Sequence, residues 1–325
     1  MKDVCLFAHF DQNNKVDDYV LHYLNKIKEL NFSIVFISAA QLPRAEVERL
    51  KNSCFDVILR ENAGLDFGSW SDGFAKYGAA IRGRLLLAND SVYGPIGNLQ
   101  VALDRLTRSP ADFYGLVESA ETDAHLSSWF LLFEPWVIQH PEFRSILGQP
   151  FSTMTKRQII ERGEVALSRR LTQAGFRYQA LYQAVQAGLS RRHSVNPMLV
   201  FWHELLFNEG VPFVKIELLR DNPIGREDAA TILQTVKQID PFMGVLIKSH
   251  LGRTTRRPPR IFLARLWYAM IRERYDHKQR SWATSAFNQI KLELLTALVW
   301  ASRWSKATWH LRGKTCTPPS RQDDS

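Results

Sequence analysis

The chain has 325 residues, 45% of them hydrophobic, which suits a globular protein with one large domain or a domain and an appendage. Its three cysteines lack the spacing of a metal-ligand motif, so neither a disulfide framework nor a structural zinc site is expected. The formal net charge of +9 is uneven, because residues 251–325 hold fifteen Lys and Arg against five Asp and Glu. The first 250 residues therefore lack the basic face typical of nucleic-acid-binding domains.

The sequence carries no signal for export or membrane insertion. The apolar stretch at the N-terminus is short and is interrupted by His9 and Asp11, unlike a secretory signal peptide. No run of residues approaches the roughly eighteen apolar positions of a transmembrane helix. We therefore expect the body of the protein to lie in the cytoplasm.

The first 120 residues alternate between patterns typical of strands and of helices. This alternation predicts βαβ units and an α/β fold with a Rossmann-type, mostly parallel sheet and flanking helices. The predicted strands are Val4–His9, Ser33–Ser38, Asp56–Arg60, Leu85–Ala88 and Phe113–Val117, and the predicted helices are Asp17–Leu30, Ala45–Lys51, Ser71–Ala80 and Asn98–Arg108.

Beyond residue 120 the pattern is less regular. It predicts a strand at Ser127–Phe133, a helical region over residues 155–187 and a strand at Pro212–Leu219. The paired prolines Pro258 and Pro259 break any helix, and we place a domain boundary near residue 250. The predicted domains are an α/β body, residues 1–250, and a basic tail, residues 251–325.

A polar turn with two glycines follows the third predicted strand. Gly64 and Gly68 permit backbone conformations and close approaches that side chains would block, and Asp66 lies between them. Asp66 and Asn62 could hold a base or a ribose by hydrogen bonds, with Arg60 near enough for a phosphate. The alternative is an ordinary strand-to-helix loop with Asp66 near a helix start.

A second polar turn ends the fourth predicted strand. Asn89, Asp90 and Ser91 follow a buried apolar run and could not lie inside it without partners. Ligands of open α/β sheets bind at the carboxyl ends of strands, so Asp90 is well placed to meet a nucleotide diphosphate, directly or through a metal ion. The alternative is that Asp90 caps the following helix.

Five segments carry a family resemblance. They are Phe7–Asp11, Asn62–Trp70, Leu85–Pro95, His125–Phe133 and Phe213–Pro223. In this order they resemble the rhamnan-synthesis F family, glycosyltransferase-like proteins of bacterial surface polysaccharide assembly. The resemblance covers about residues 3–225, and it implies a nucleotide-sugar-dependent transferase with a GT-A-like fold.

Such a transferase must hold the nucleotide, stabilise the departing diphosphate and activate an acceptor hydroxyl. Asp90 is the candidate ligand of a Mg²⁺ or Mn²⁺ ion on the diphosphate. The chain lacks the Asp-x-Asp of GT-A enzymes, so either a second ligand comes from elsewhere or Lys and Arg replace the metal. The candidates for donor binding are Asn62, Gly64, Asp66, Asn89, Ser91, Lys215 and Arg220.

Transfer with inversion also needs a general base. Glu118, at the end of the fifth predicted strand, is the first candidate, His125 the second and Glu217 the third. Glu118 could equally be a solvated turn acid, and His125 could orient its loop. Lys215 and Arg220 flank Glu217 and could contact a phosphate or pair with acids.

The leading interpretation is a transferase that moves a deoxyhexose, with rhamnose as the first candidate, from a nucleotide sugar to a lipid-linked glycan such as an O-antigen. One rival is a catalytically inactive assembly partner that keeps the fold, because the acidic motif is incomplete. The other rival, a nucleic-acid-binding protein, is disfavoured because the positive charge is confined to the tail. No nucleic-acid partner is expected.

The tail predicts basic amphipathic helices. Ile261–Tyr275 and Phe287–Trp304 carry apolar residues and indoles among Arg and Lys, a pattern typical of helices that lie in a membrane interface. We expect peripheral attachment to the anionic inner face of the plasma membrane. The alternative is that these helices pack on the body or on a second subunit.

Overall fold

The computed structural model describes residues 1–190, 195–223 and 229–254. The chain divides into two compact units, Met1–Pro259 and Arg260–Ser325, and every described residue belongs to the first. The predicted basic tail therefore lies outside the described residues, except for its first four. Within the described ranges, no helix is both long and apolar enough to cross a bilayer.

Eight strands form one mixed sheet, and two further strands form a short antiparallel pair. The strands are β1 (Val4–His9), β2 (Ser33–Ser38), β3 (Asp56–Leu59), β4 (Leu85–Asn89), β5 (Val92–Tyr93), β6 (Phe113–Ser119), β7 (His125–Leu126), β8 (Phe130–Phe133), β9 (Tyr178–Tyr182) and β10 (Val214–Lys215).

The order of the main sheet is β3-β2-β1-β4-β8-β6-β7, with β9 beside β6. Strands β3, β2, β1 and β4 are parallel, β8 is antiparallel to β4 and β6, and β9 is parallel to β6. From β1 the chain moves outward to β2 and β3 and then returns to β4 on the other side of β1. The strand order thus reverses between β1 and β4, the position at which open α/β sheets bind ligands.

Thirteen α-helices lie in the described ranges, and the longer ones flank the sheet. They are α1 (Asp18–Glu29), α2 (Arg44–Leu50), α3 (Leu65–Tyr77), α4 (Leu99–Leu106), α5 (Pro135–Gln139), α6 (Pro141–Leu147), α7 (Lys156–Ile159), α8 (Ala166–Gln173), α9 (Pro197–Val200), α10 (Trp202–Phe207), α11 (Ile216–Arg220), α12 (Ala229–Ile239) and α13 (Pro241–Arg253). A π-helical segment, Ile160–Val165, joins α7 to α8.

The core explains why these residues form a sheet. Every residue of β1 and of β4 is buried, as expected for central strands covered on both faces. Helix α3 packs closely on them, because Trp70 is fully buried and its Nε1 donates to the carbonyl oxygen of Ala88 at 3.2 Å. A Cβ on Gly73 would lie 2.5 Å from Ile37 Cδ1, so the glycine allows this close approach without displacing the Ile37 side chain. The packing fixes the start of α3 beside the end of β4.

The predicted α/β class and mostly parallel arrangement of the first strands are confirmed, with β1 and β2 matching to the residue. The start of α3 was predicted wrongly at Ser71, whereas the helix begins at Leu65. The two glycines suggest a loop, but they belong to the start of the helix. Gly64 forms the turn before it with a φ of +79°, and a Cβ added at Gly68 would lie 2.5 Å from the Ala63 carbonyl oxygen. Asp66 consequently lies in the first turn of a helix.

Two other segments differ from the sequence-based expectation. The predicted helical region over residues 155–187 ends early, and Tyr178–Tyr182 forms β9 because its backbone pairs with β6. The predicted strand Pro212–Leu219 is shortened to β10 and is followed by helix α11. Its strand partner within the described ranges, β5, is two residues long, so the ladder does not continue there.

Substituting Gly64 by Ala is expected to destabilise the protein by on the order of 2 kcal/mol, because the residue has a positive φ and the added Cβ would lie 2.9 Å from the Phe151 carbonyl carbon. Chemical denaturation would measure the change. Gly252→Ala is the matched control, since no atom lies within 4 Å of its added Cβ on α13. The control substitution should leave the free energy of unfolding unchanged or raise it slightly. Equal stability of the two variants would show that Gly64 is not needed at this turn.

Candidate active site

A cleft of about 470 Å³ opens at the carboxyl ends of β1 and β4. This volume is sufficient for a small organic ligand. His9 ends β1, Asp90 follows β4, Asp66 comes from the first turn of α3, and Lys215 and Ile216 come from the β10–α11 junction. The cleft therefore coincides with the reversal of strand order.

Asn89 joins the two polar turns that the sequence singled out. Its side chain is buried, and its Nδ2 donates to Asp66 Oδ2 at 2.7 Å. Its Oδ1 accepts from both the backbone amide and the hydroxyl of Ser91, at 3.1 and 2.7 Å. Asp66, Asn89 and Ser91 thus form one network at the edge of the cleft, and Asn62 lines the same space.

The pKa of Asp66 is raised by its surroundings. Burial raises the pKa of its carboxyl to about 6, and the negative charge of Glu164 adds to the shift. The hydrogen bond from Asn89 and the charge of Lys215 oppose the shift but do not cancel it. A carboxyl group with this pKa binds a cation only after it has lost its proton near neutral pH.

Asp90 lines the cleft and is also biased toward its protonated form. Burial raises its pKa well above the ordinary value, and the nearby Asp66 raises it further. The backbone amide of Phe10 donates to Asp90 Oδ2 at 3.0 Å, and His9 Nε2 lies 3.8 Å from the same oxygen. Burial lowers the pKa of His9 to about 4, so this imidazole is neutral and contributes no positive charge.

Among the residues that the structure describes, two cationic side chains line the cleft, and they differ in their existing contacts. Arg220 donates from Nε and Nη2 to the two carboxylate oxygens of Asp221, both at 2.8 Å. Within the described residues, the ammonium group of Lys215 has no hydrogen-bond or ion-pair partner. Lys215 is therefore the cation that a phosphate group could recruit without breaking an existing pair.

Two of the three predicted base candidates do not line the cleft. Glu118 is buried and accepts hydrogen bonds from the Tyr178 hydroxyl and, at 2.9 Å, from the Val185 amide. His125 is also buried, and its Nδ1 lies 2.6 Å from the Asp123 carbonyl oxygen. A catalytic role for either stays a prediction that these contacts do not support. Glu217, the third candidate, lines the cleft.

Two residues of the first polar turn brace the backbone. Gly64 supplies the turn before α3 and is not among the residues that line the cleft. Arg60, expected near a phosphate, pairs with Asp72 and donates to the Ala63 carbonyl oxygen at 2.7 Å. The Arg60 guanidinium is thereby already engaged.

The sequence did not single out a second acidic cluster at the margin of the cleft. Asp11, Asp17 and His250 each offer one ligand atom within 4.8 Å of the others. The guanidinium of Arg253 lies between the two carboxylates and binds both, so a cation already occupies this cluster. Asp11 lies in a segment that carries the family resemblance, but α13 lies beyond it, and no local pattern marked His250 or Arg253.

The predicted metal ligand, Asp90, does not belong to that cluster. Asp66 and Ser91 line the same cleft as Asp90 and carry oxygen atoms, the donor type that Mg²⁺ and Mn²⁺ prefer. The pKa values of Asp66 and Asp90 are raised because both carboxyl groups are buried and the positive charge nearby does not compensate for the loss of solvent. A divalent cation would relieve this, so the donor set fits a metal.

Replacing Asp66 by Asn is expected to stabilise the ligand-free protein at pH 8 by on the order of 1–3 kcal/mol. The pKa of Asp66 rises from 3.8 to about 6 on folding, so its contribution to stability is complete below pH 3.8 and is lost as the pH rises through 6. The variant should show a weaker loss of stability over this window in urea titrations. Asp104→Asn, an exposed change on α4, is the control, and identical pH profiles for Asp66→Asn and wild type would refute the assignment.

Comparison with known proteins agrees with the family resemblance. The family model described as rhamnan synthesis protein F matches residues 34–287. The virulence protein VirA of Vibrio anguillarum (strain ATCC 68554 / 775) is 28% identical over 239 residues, covering 62% of this chain and 75% of VirA. The uncharacterized protein y4gN of Sinorhizobium fredii is 28% identical over 167 residues, covering 50% of this chain and 43% of y4gN.

Two solved structures are also similar. A cytidylyltransferase from Leptospira borgpetersenii has 12% identity and a TM-score of 0.32, covering 55% of this chain and 75% of that chain. A protein described as a nucleotide-diphospho-sugar transferase from Desulfovibrio desulfuricans G20 has 11% identity and a TM-score of 0.34. The match covers 77% of this chain and 99% of that chain. The family match spans most of the sequence, and on that basis the chain belongs to the rhamnan synthesis protein F family.

Proposed function

We propose that this protein is a glycosyltransferase that moves a deoxyhexose, with rhamnose as the first candidate, from a nucleotide sugar to a lipid-linked surface polysaccharide or O-antigen acceptor. Membership of the rhamnan synthesis protein F family supports a nucleotide-sugar-using, glycosyltransferase-like protein. The observation that carries the proposal is the cleft at the reversal of strand order, where Asp66, Asp90 and Lys215 line one space. That position is where open α/β sheets bind nucleotides.

The charges of the cleft suggest how the donor is held. Lys215, for which the described ranges hold no hydrogen-bond or ion-pair partner, would bind a phosphate oxygen, while Asn62 and Asp66 offer hydrogen bonds to a base or ribose. A Mg²⁺ or Mn²⁺ ion held by Asp90, with Asp66 and Ser91 beside it, would stabilise the negative charge of the departing diphosphate. The hydrogen bonds of buried Asn89 would hold the side chains of Asp66 and Ser91 in position to bind the nucleotide and the metal ion.

The general base of an inverting transfer is assigned by position. Of the three candidates, Glu217 lines the cleft, whereas Glu118 and His125 do not. Glu217 follows Lys215 by two residues, so an acceptor hydroxyl at Glu217 would lie near the phosphate-binding group. We therefore place Glu217 ahead of Glu118 and His125 for this role.

Asp90→Ala is expected to lower kcat/KM for sugar transfer by on the order of 10²–10³-fold, because it removes the group that organises charge on the diphosphate. A panel of nucleotide sugars, assayed for transfer and hydrolysis, would measure the loss. The stability should change by no more than about 1 kcal/mol, since Asp90 accepts one backbone hydrogen bond, from Phe10.

Asp104→Ala is the matched control for Asp90→Ala, because Asp104 is an exposed acid on α4 whose side chain contacts Gln100. A variant Asp90→Ala that melted early but kept its specific activity would show that the residue merely caps local structure. Addition of EDTA separates two versions of the proposal. Activity that is lost in EDTA and restored by Mg²⁺ or Mn²⁺ supports the metal, and full activity in EDTA leaves the carboxylate acting without one.

A second candidate function is a nucleotide-sugar-binding assembly partner without transferase activity. The absence of an Asp-x-Asp sequence and the positions of Glu118 and His125 outside the cleft favour it. The same panel of nucleotide sugars discriminates between the two. Calorimetric binding of a nucleotide sugar without transfer or hydrolysis, with every acceptor fraction tested, would favour the inactive partner.

We further propose that the protein is cytoplasmic and that its tail attaches it to the inner face of the plasma membrane, next to a lipid-linked acceptor. The support is the sequence alone, because each Lys or Arg near an anionic surface adds about 1 kcal/mol. The full chain is expected to float with anionic vesicles and to be released by salt. A chain ending at Pro259 should stay in the soluble fraction, and equal flotation of both chains would contradict the proposal.

A further inference from the structure

The geometry points to Arg253, the last residue of α13, as a positioning residue of the donor cleft. We infer that its guanidinium holds the loop between β1 and α1 in the conformation that supports Asp90. The inference rests on the proposed function for its kinetic consequences, but the structural step does not depend on it. Arg253 does not line the cleft, and it acts through the two carboxylates that it joins.

The guanidinium of Arg253 spans the loop. Its Nε donates to Asp17 Oδ1 at 2.8 Å, and Nη2 donates to Asp17 Oδ2. Nη2 and Nη1 also donate to Asp11 Oδ2 and Oδ1, at 2.7 and 3.3 Å. One planar group thus binds two carboxylates at opposite ends of the loop, a geometry that the single ammonium of a lysine cannot reproduce.

Asp11 passes this restraint to the backbone. Its Oδ1 accepts hydrogen bonds from the amides of Asn13 and Lys15, at 2.9 and 3.2 Å, which fold the loop into a turn. The amide of the preceding residue, Phe10, donates to Asp90 Oδ2 at 3.0 Å. The position of the Asp11 carboxylate therefore fixes the direction of the Phe10 amide, and so the orientation of Asp90.

A second set of contacts links α13 to the same place. His250 lies one turn before Arg253, with its Nδ1 2.6 Å from the Tyr93 hydroxyl and its Nε2 3.6 Å from Asp17 Oδ2. The Tyr19 ring packs against both Tyr93 and His250, and its hydroxyl donates to the backbone carbonyl oxygen of Asp90 at 3.0 Å. The last turn of α13 thus supports Asp90 from two sides.

Charge makes Arg253 necessary. Asp11 and Asp17 have side chains that are only 11% and 10% exposed, and they would repel each other without a cation between them. Burial pushes the pKa of Asp11 upward, but the hydrogen bond and charge of Arg253, with the Asn13 and Lys15 amides, outweigh it and lower the pKa. Removal of the guanidinium would leave two partly buried carboxylates without a cation between them, and the loop would open.

The test uses full-length Arg253→Ala and Arg253→Lys variants. For Arg253→Ala we expect faster hydrogen exchange at the Phe10, Asn13 and Lys15 amides and a donor KM raised by about tenfold to 10²-fold. The change in kcat should be smaller, because the cleft binds the donor in ground and transition states alike. Millimolar guanidinium should partly restore both readouts in Arg253→Ala. Arg253→Lys should remain impaired and should not respond to guanidinium.

Arg170→Ala is the matched control, because Arg170 forms an ion pair with Glu142 outside the cleft lining. Its exchange rates at the three amides and its donor KM should equal those of the wild type. Wild-type exchange at these amides in Arg253→Ala would overturn the inference. If Arg253→Ala failed to fold, Arg253→Lys would decide, and wild-type values for Arg253→Lys would overturn the inference. A wild-type protein that bound no nucleotide sugar would refute the proposed function, while amide exchange would still test Arg253.

Discussion

The parallel pairing of β1 with β4 is the constraint on which the rest of the molecule depends. Both strands are buried on both faces, so their polar continuations can begin only where the sheet ends. Because the strand order reverses between them, the connecting chains leave in opposite directions and a cleft remains at their carboxyl ends. The close packing of α3, through Trp70 and Gly73, then delivers Asp66 to the same edge.

The charge that the cleft offers to a ligand depends on which of its acidic and basic side chains already form ion pairs with each other. Arg253 pairs with both Asp11 and Asp17, which leaves one net negative charge among these three groups, and Asp221 pairs with Arg220. The cleft also presents the carboxyl groups of Asp66 and Asp90 and the ammonium group of Lys215, which has no hydrogen-bond or ion-pair partner among the described residues. Such a lining suits a ligand that brings both a phosphate and a cation, and a diphosphate with its metal ion meets this description.

The sequence predicted what local patterns encode. Apolar runs bounded by turns located β1 and β2, and polar residues at strand ends located Asp66 and Asp90. The same reasoning placed Glu118 beside them, but β6 is separated from β4 by β8, a shift of about 10 Å across the sheet, and Glu118 does not line the cleft. Strand order is not a local property. Nor are the contacts of Arg253, whose carboxylate partners lie 236 and 242 positions away along the chain.

The raised pKa of Asp66 has a consequence for the thermodynamics of binding. A carboxyl group with a pKa of about 6 carries a proton for part of the time near neutral pH, and a cationic ligand must displace that proton. Binding is then coupled to proton release, and the heat of binding depends on the buffer that receives the proton. The apparent affinity of the cleft rises with pH around this value, so its occupancy follows the acidity of the surrounding compartment as well as the concentration of the ligand.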